Sequence, residues 1–123
     1  MINAAFVAGD PSWVSYDRMV PWRRATVPGI LLDAEGSPVV VHGAEGRVHG
    51  WILAFEQAFH DEVLATLDLH HGTSDGMIER TIAIADSEGF EPQAVHAWNW
   101  NGTLDLPRIE SGEWPIRSQN LPL

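Results

Sequence analysis

The residues best placed to do chemistry lie in the segment Leu67-Asp68-Leu69-His70-His71-Gly72, followed by Thr73-Ser74-Asp75-Gly76-Met77-Ile78-Glu79-Arg80. The spacing predicts an amphipathic helix that runs into two adjacent histidines and stops at the glycine, then a short polar loop and a strand. Histidine has the unperturbed pKa closest to neutrality, so His71 at a helix end can act as a general base, a role typically worth ~10² to 10⁴ in rate. The competing reading is a histidine held there by the helix dipole and otherwise inert. His70 reads as its solvated neighbour. Glu79 is a second candidate base, with a solvated surface carboxylate as its alternative. Arg80 falls on the same strand face as Ile78, Ile82 and Ile84. Its guanidinium therefore either reaches a pocket and anchors an anionic substrate group, or pairs with a carboxylate such as Asp68 or Glu79.

The rest of the composition removes other chemistries. There is no cysteine, hence no thiolate nucleophile or disulfide framework, and no lysine to form a Schiff base. The cations are all arginine: Arg18, Arg23, Arg24, Arg47, Arg80, Arg108 and Arg117. His42, His49, His60, His70, His71 and His96 are enough to ligate zinc with Asp68 or Asp75, but no pair has the one-helix-face spacing of a zinc protease. The expectation is no metal and no cofactor. Dinucleotide, P-loop, nucleophile-elbow and zinc-finger patterns are absent, and Gly43-Ala44-Glu45-Gly46 reads as a turn. A net charge of -10 argues against nucleic acid as a partner. No apolar run approaches the ~20 residues of a spanning helix. The start, Met1 to Gly9, lacks a basic leader and meets Asp10-Pro11 too early for a secretory signal. A cytoplasmic protein with a small-molecule substrate and no membrane partner is expected, its oligomeric state open.

These residues need a frame to hold them. The 123 residues suit one domain, 1–123, with an irregular tail from about 101. Phe6-Val7 and their alanine neighbours predict a first strand ending at Gly9-Asp10-Pro11, whereas Ser12 to Arg24 has no clear pattern. Val27 to Leu32 leads to a turn at Ala34-Glu35-Gly36-Ser37, followed by the strands Pro38–His42 and Arg47–Phe55. A helix fits Gln57 to His70, with Phe59, Val63, Leu64 and Leu67 as its apolar stripe. Strands follow at Ile78–Ala85 and Gln93–Trp100, the second with His96, Trp98 and Trp100 on one face. Trp51, Trp98 and Trp100 are expected on neighbouring strands, where they line a pocket for a flat or apolar ligand or simply pack. The pattern is α+β: a small mixed sheet or partial barrel closed by one main helix, with the sheet curled around the helix and a cavity at the helix end.

The Leu67–Arg80 corner resembles the catalytic corner of the γ-glutamyl cyclotransferase-like (AIG2-like) family, which reads Leu-Asp-x-x-Glu-Gly, a loop, then Tyr-x-Arg. Other pieces are similar in the same order: Phe6-Val7-Ala8-Gly9, Val27-Pro28-Gly29, Gly46 to Ile52, Ala97-Trp98-Asn99-Trp100 and Ser111-Gly112-Glu113-Trp114. The resemblance implies that family's fold, with the catalytic glutamate's place taken by His71. It also implies that Ala8-Gly9-Asp10-Pro11 replaces a Tyr-Gly-Ser/Thr-Leu loop whose N–H groups hold the substrate carboxylate. Asp10 brings a negative charge to that loop, Pro11 removes a donor, Ile78 stands for the tyrosine, and Arg80 is kept.

In the family reaction a carboxylate takes a proton from the substrate's α-amine, which attacks the γ-carbonyl and forms 5-oxoproline. The expected function is therefore divergent acid–base chemistry on a small molecule (cyclisation, amide release or isomerisation), with a place in secondary metabolism. His71 or Glu79 would be the base, and Gly9, Asp10, Arg80, Trp51 and Trp98 would bind substrate. The alternatives are a catalytically inactive binding module of the same fold and an ordinary γ-glutamylamine cyclotransferase.

Overall fold

The computed structural model describes residues 2–14 and 17–114. Five strands make one mixed sheet: β1 (Ala4–Ala8), β2 (Met19–Ala34), β3 (Ser37–Phe55), β4 (Ile78–Ala85) and β5 (Gln93–Trp100), in the order β2-β3-β1-β5-β4. Helix α1 (His60–His71) stands between β3 and β4 in the chain. Strand β1 runs antiparallel to β3 and parallel to β5, and the β2–β3 and β4–β5 pairs are antiparallel. The sheet curls until its two outer strands meet, where Thr26 and Asp86 exchange backbone hydrogen bonds of 2.9 Å. The result is a nearly closed barrel with one main helix, in keeping with the α+β expectation.

Apolar alternation decides which side each residue faces. One set of side chains, including Phe6, Val27, Leu31, Val48, Ile52 and Val95, forms the interior cluster. The intervening residues Ala5, Val7, Leu53, Phe55 and Trp98 join Val63, Leu64 and Leu67 of α1 in a second cluster. Strand β1 is apolar throughout because both of its faces are buried. The helix therefore packs on the outside of the barrel and is not enclosed by the sheet as expected. The reason is volume, since side chains already fill the inside of so small a barrel.

The helical stripe and the bounds of β1, β4 and β5 follow the sequence reading. Three other parts do not. Strand β2 begins at Met19, within the stretch that had no pattern. Residues 43–46 do not turn the chain: β3 runs through them, and they are skipped in the pairing, because Pro28 pairs with Arg47 while Gly29 pairs with His42. Trp51 and the pair Trp98 and Trp100 are not on adjacent strands, because β1 lies between β3 and β5. Residues 101–114 hold no named helix or strand and are tied to the barrel. Asp33 N–H donates to Pro107 O (2.8 Å), Ile109 N–H to Leu31 O (2.9 Å) and His49 N–H to Gly112 O (2.7 Å). Pro115 and Pro122 lie outside the described residues.

Candidate functional site

The last turn of α1 sets the site. Gly72 adopts a left-handed conformation (φ 79°) and its N–H caps the carbonyls of Asp68 and Leu69, ending the helix directly after His71. The Nδ1 of His71 lies 2.8 Å from Leu67 O. A carbonyl can only accept, so Nδ1 carries the proton and Nε2 presents a lone pair. The imidazole stacks on the Trp98 indole at 4.3 Å with an interplanar angle of 3°. Trp98 is itself pinned: its Nε1–H donates to Asp68 Oδ1 at 2.9 Å, and Asp68 Oδ2 lies 3.5 Å from the Arg80 guanidinium. Arg80 thus holds the carboxylate that holds the indole that supports the histidine. His70 meets His71 edge-on at 5.1 Å and stacks on Trp13 at 3.7 Å.

His71 opens onto a cavity of about 690 Å³ at the end of the barrel, which also receives Asp10, Trp13, His42, Trp98 and Trp114. This volume is in the range of small-molecule sites. Burial pushes the His71 imidazole down to about 4, outweighing the opposing bond to Leu67 O; His70 lowers it further and Asp68 raises it. At neutral pH the ring is an uncharged base. His42 also lies below the usual histidine range, again through burial, partly opposed by its bond to Trp98 O. Its ring Nε2 donates to that carbonyl at 3.2 Å, and its backbone N–H donates to Asn99 Oδ1 at 2.9 Å. The other ring nitrogen, Nδ1, is buried without a hydrogen-bond partner among the described residues.

The loop after β1 adds to the lining, with Trp13 stacked on His70. Asp10 caps a single 3₁₀ turn, Pro11–Trp13, by accepting Ser12 N–H at Oδ1 (2.9 Å). The tail contributes Trp114 to the lining. Gly112 sits at φ 70°, and a Cβ there would lie 1.9 Å from Arg47 O, so glycine is needed for the chain to pass. That passage places Trp114 against Gly9, where an added Cβ would be 3.2 Å from the indole Cβ.

The residues singled out from the sequence are only partly assembled. His71, Asp10 and Trp98 share the cavity, as does Ile78. Gly9 and Trp51 line a smaller depression of about 140 Å³ that shares Asp10 and Trp114 with it. Arg80 does not line the cavity: the Asp68 carboxylate captures it on the outer face, where Ile82 and Ile84 are each half exposed. Glu79 is exposed opposite Asn99 in the β4–β5 register, away from the cavity. Sequence reasoning missed His42, Trp13 and His70 as cavity residues. It noted Trp114 only as part of a motif. Among the described residues no three of His, Asp and Glu gather as a metal site requires, and no helix is long and apolar enough to cross a membrane.

Comparisons with known proteins agree with this architecture. A family described as gamma-glutamyl cyclotransferase, AIG2-like, matches residues 7–115. An AIG2-like protein from Mus musculus has a similar fold (TM-score 0.68, 16% identity), the match covering 89% of this chain and 87% of that one. A solution structure from Arabidopsis thaliana is similar over 95% of this chain and 79% of its own (TM-score 0.65, 27% identity). YkqA from Bacillus subtilis matches 93% of this chain, which spans only 40% of YkqA's length (TM-score 0.64, 17% identity). No curated protein matches the sequence.

Proposed function

The chain belongs to the AIG2-like γ-glutamyl cyclotransferase family, and we propose that within it the protein is a small-molecule enzyme of cyclotransferase-like chemistry whose general base is His71. The carrying observation is the state of that ring. Its Nδ1–H is committed to Leu67 O, its plane is fixed by Trp98, and its free nitrogen belongs to a residue lining the cavity. The reading is supported by the resemblance of the Leu67–Arg80 corner to the family's, which implies that His71 stands in the place of a catalytic glutamate. In the proposed reaction a substrate amine bonds to an amide carbonyl carbon while Nε2 accepts its proton. The tetrahedral centre then collapses, the C–N bond to the leaving amine breaks, and the proton passes to the leaving nitrogen. A lactam and a free amine result, with no redox change. Fixing the base and the folded substrate in one cavity supplies much of the acceleration. Arg80 enters as a positioning residue, through Asp68 and Trp98, and Glu79 has no part.

The test uses two amides that release 2-phenylethylamine on cyclisation: γ-glutamyl-2-phenylethylamide and its counterpart without the carboxylate, N-(2-phenylethyl)-4-aminobutanamide. Turnover of either, lost in His71→Gln while the melting temperature holds, is the expected result. Turnover unchanged in His71→Gln refutes the assignment. Binding of both amides with no turnover of either favours the non-catalytic module.

A further inference from the structure

The polar side chains lining the cavity are one carboxylate, three histidines, two serines and four indoles. Asp10 is the sole charged side chain among the lining residues described, and no arginine is present there. His42 Nδ1 is a buried lone pair without a partner, and His71 presents a second lone pair at Nε2. Two of the indole donors are already spent, Trp98 Nε1–H on Asp68 (2.9 Å) and Trp100 Nε1–H on Thr103 O (2.8 Å).

Several groups of the loop after β1 are also unavailable to an anion. Gly9 N–H goes to His49 O (3.4 Å), Pro11 has no N–H, Ser12 N–H goes to the Asp10 carboxylate (2.9 Å), and Val14 N–H goes to Pro11 O (2.9 Å). Asp10 therefore sits as an internal anion on the Ser12 N–H of its own loop. What the lining offers a ligand is one negative charge with no cation beside it in the cavity, and aromatic faces from Trp13, Trp100 and Trp114. Carboxylates are poorly served there, because desolvating them finds no cation. Ammonium groups are served twice, by the carboxylate and by the electron-rich faces of the indoles.

We propose that this cavity selects an organic amine with an apolar or aromatic body and no carboxylate, held by Asp10 and the surrounding indoles. The proposal rests on reading the cavity as the substrate site and names the class of substrate it takes. It separates this chain from an enzyme that must hold the carboxylate of a glutamyl group.

The experiment is calorimetric titration at pH 7 of wild type, Asp10→Asn and His71→Gln with two unreactive probes of similar shape, 2-phenylethylamine and 3-phenylpropionate. Asparagine can still accept the Ser12 N–H, so Asp10→Asn removes the charge and leaves the turn intact. Wild type should bind the amine about tenfold or more tightly than the propionate, the worth of one charge-assisted contact. Asp10→Asn should lose about tenfold for the amine and lose nothing for the propionate. Equal or tighter binding of the propionate, no binding of the amine, or an amine affinity unchanged in Asp10→Asn overturns the proposal. Because neither probe reacts, these outcomes are independent of catalysis. Turnover that depends on His71 in a protein preferring the propionate would sink this inference and leave the base assignment standing. Amine selectivity with His71→Gln still active would do the reverse.

Discussion

Protonating His71 should cost the folded state measurable stability, and the size of the effect follows from its burial. The unfolded imidazole titrates at 6.5, whereas in the folded protein burial holds it at about 4. Between these values the unfolded chain binds the proton and the folded chain does not, so stability falls as pH drops through that window. Linkage gives a loss of about 2 kcal/mol between pH 7 and pH 5, approaching about 3 kcal/mol at pH 4. His42, His70 and His96 are also lowered by burial and push the same way, so the wild-type slope alone does not isolate one residue. The comparison that does is His71→Phe, which keeps a ring on Trp98 and removes the titration. Urea unfolding at pH 7 and pH 5 should show the wild type losing about 2 kcal/mol more than the variant over that interval. Equal losses in the two proteins, or a His71 ring proton titrating near 6.5 by NMR, would refute the reasoning.

Three further outcomes are expected. In the proposed reaction, kcat/KM should rise with an inflection near 4, where burial holds His71, and not near the ordinary 6.5; a pH–rate profile on the amide that turns over decides this. Asp68→Ala should leave the Trp98 Nε1–H, in a residue only 5% exposed, without its acceptor. A loss of about 1–3 kcal/mol by denaturation is the expected cost, with kcat falling as the support of His71 loosens. Gly112→Ala should lower the melting temperature by several degrees, corresponding to more than about 1 kcal/mol, because its Cβ meets Arg47 O and its φ is positive; an unchanged melting temperature would show that the close passage of the tail over Arg47 does not need glycine.

What was legible in the sequence was whatever depends on periodicity. The strands Ile78–Ala85 and Gln93–Trp100 alternate cleanly, and the helix carries its stripe up to the glycine that stops it. The same alternation misled at Arg80. It placed Arg80 correctly on the face of Ile82 and Ile84, but it could not say that this face points outward or that Asp68 waits there. Early β2 was unreadable because its side chains are surface residues with aromatic partners. Trp22 falls at a register shift, and the Arg23 guanidinium stacks between Trp22 (3.8 Å) and Phe90 (4.0 Å). His42 ends a run of three valines and looks like a strand terminus. Its role comes from Trp98 and Asn99, more than fifty residues away in sequence, which only the β1-centred curl of the sheet brings near. The quartet at 43–46 carries two glycines and reads as a turn. Nothing local tells a turn from an extra loop of strand skipped in its pairing.

Burial disfavours the charged form, so it lowers the His71 imidazole to about 4 and would raise a carboxyl at the same place. At neutral pH His71 is therefore an uncharged base, and it brings no negative charge to its side of the cavity. Asp10 is the charged residue of the cavity lining, and its carboxylate accepts the Ser12 N–H. The proposed function and the proposed ligand class agree on this point: a neutral base beside a lone carboxylate suits an ammonium group better than a second carboxylate. The Arg80–Asp68–Trp98 chain holds the ring at position 71 in place beside them.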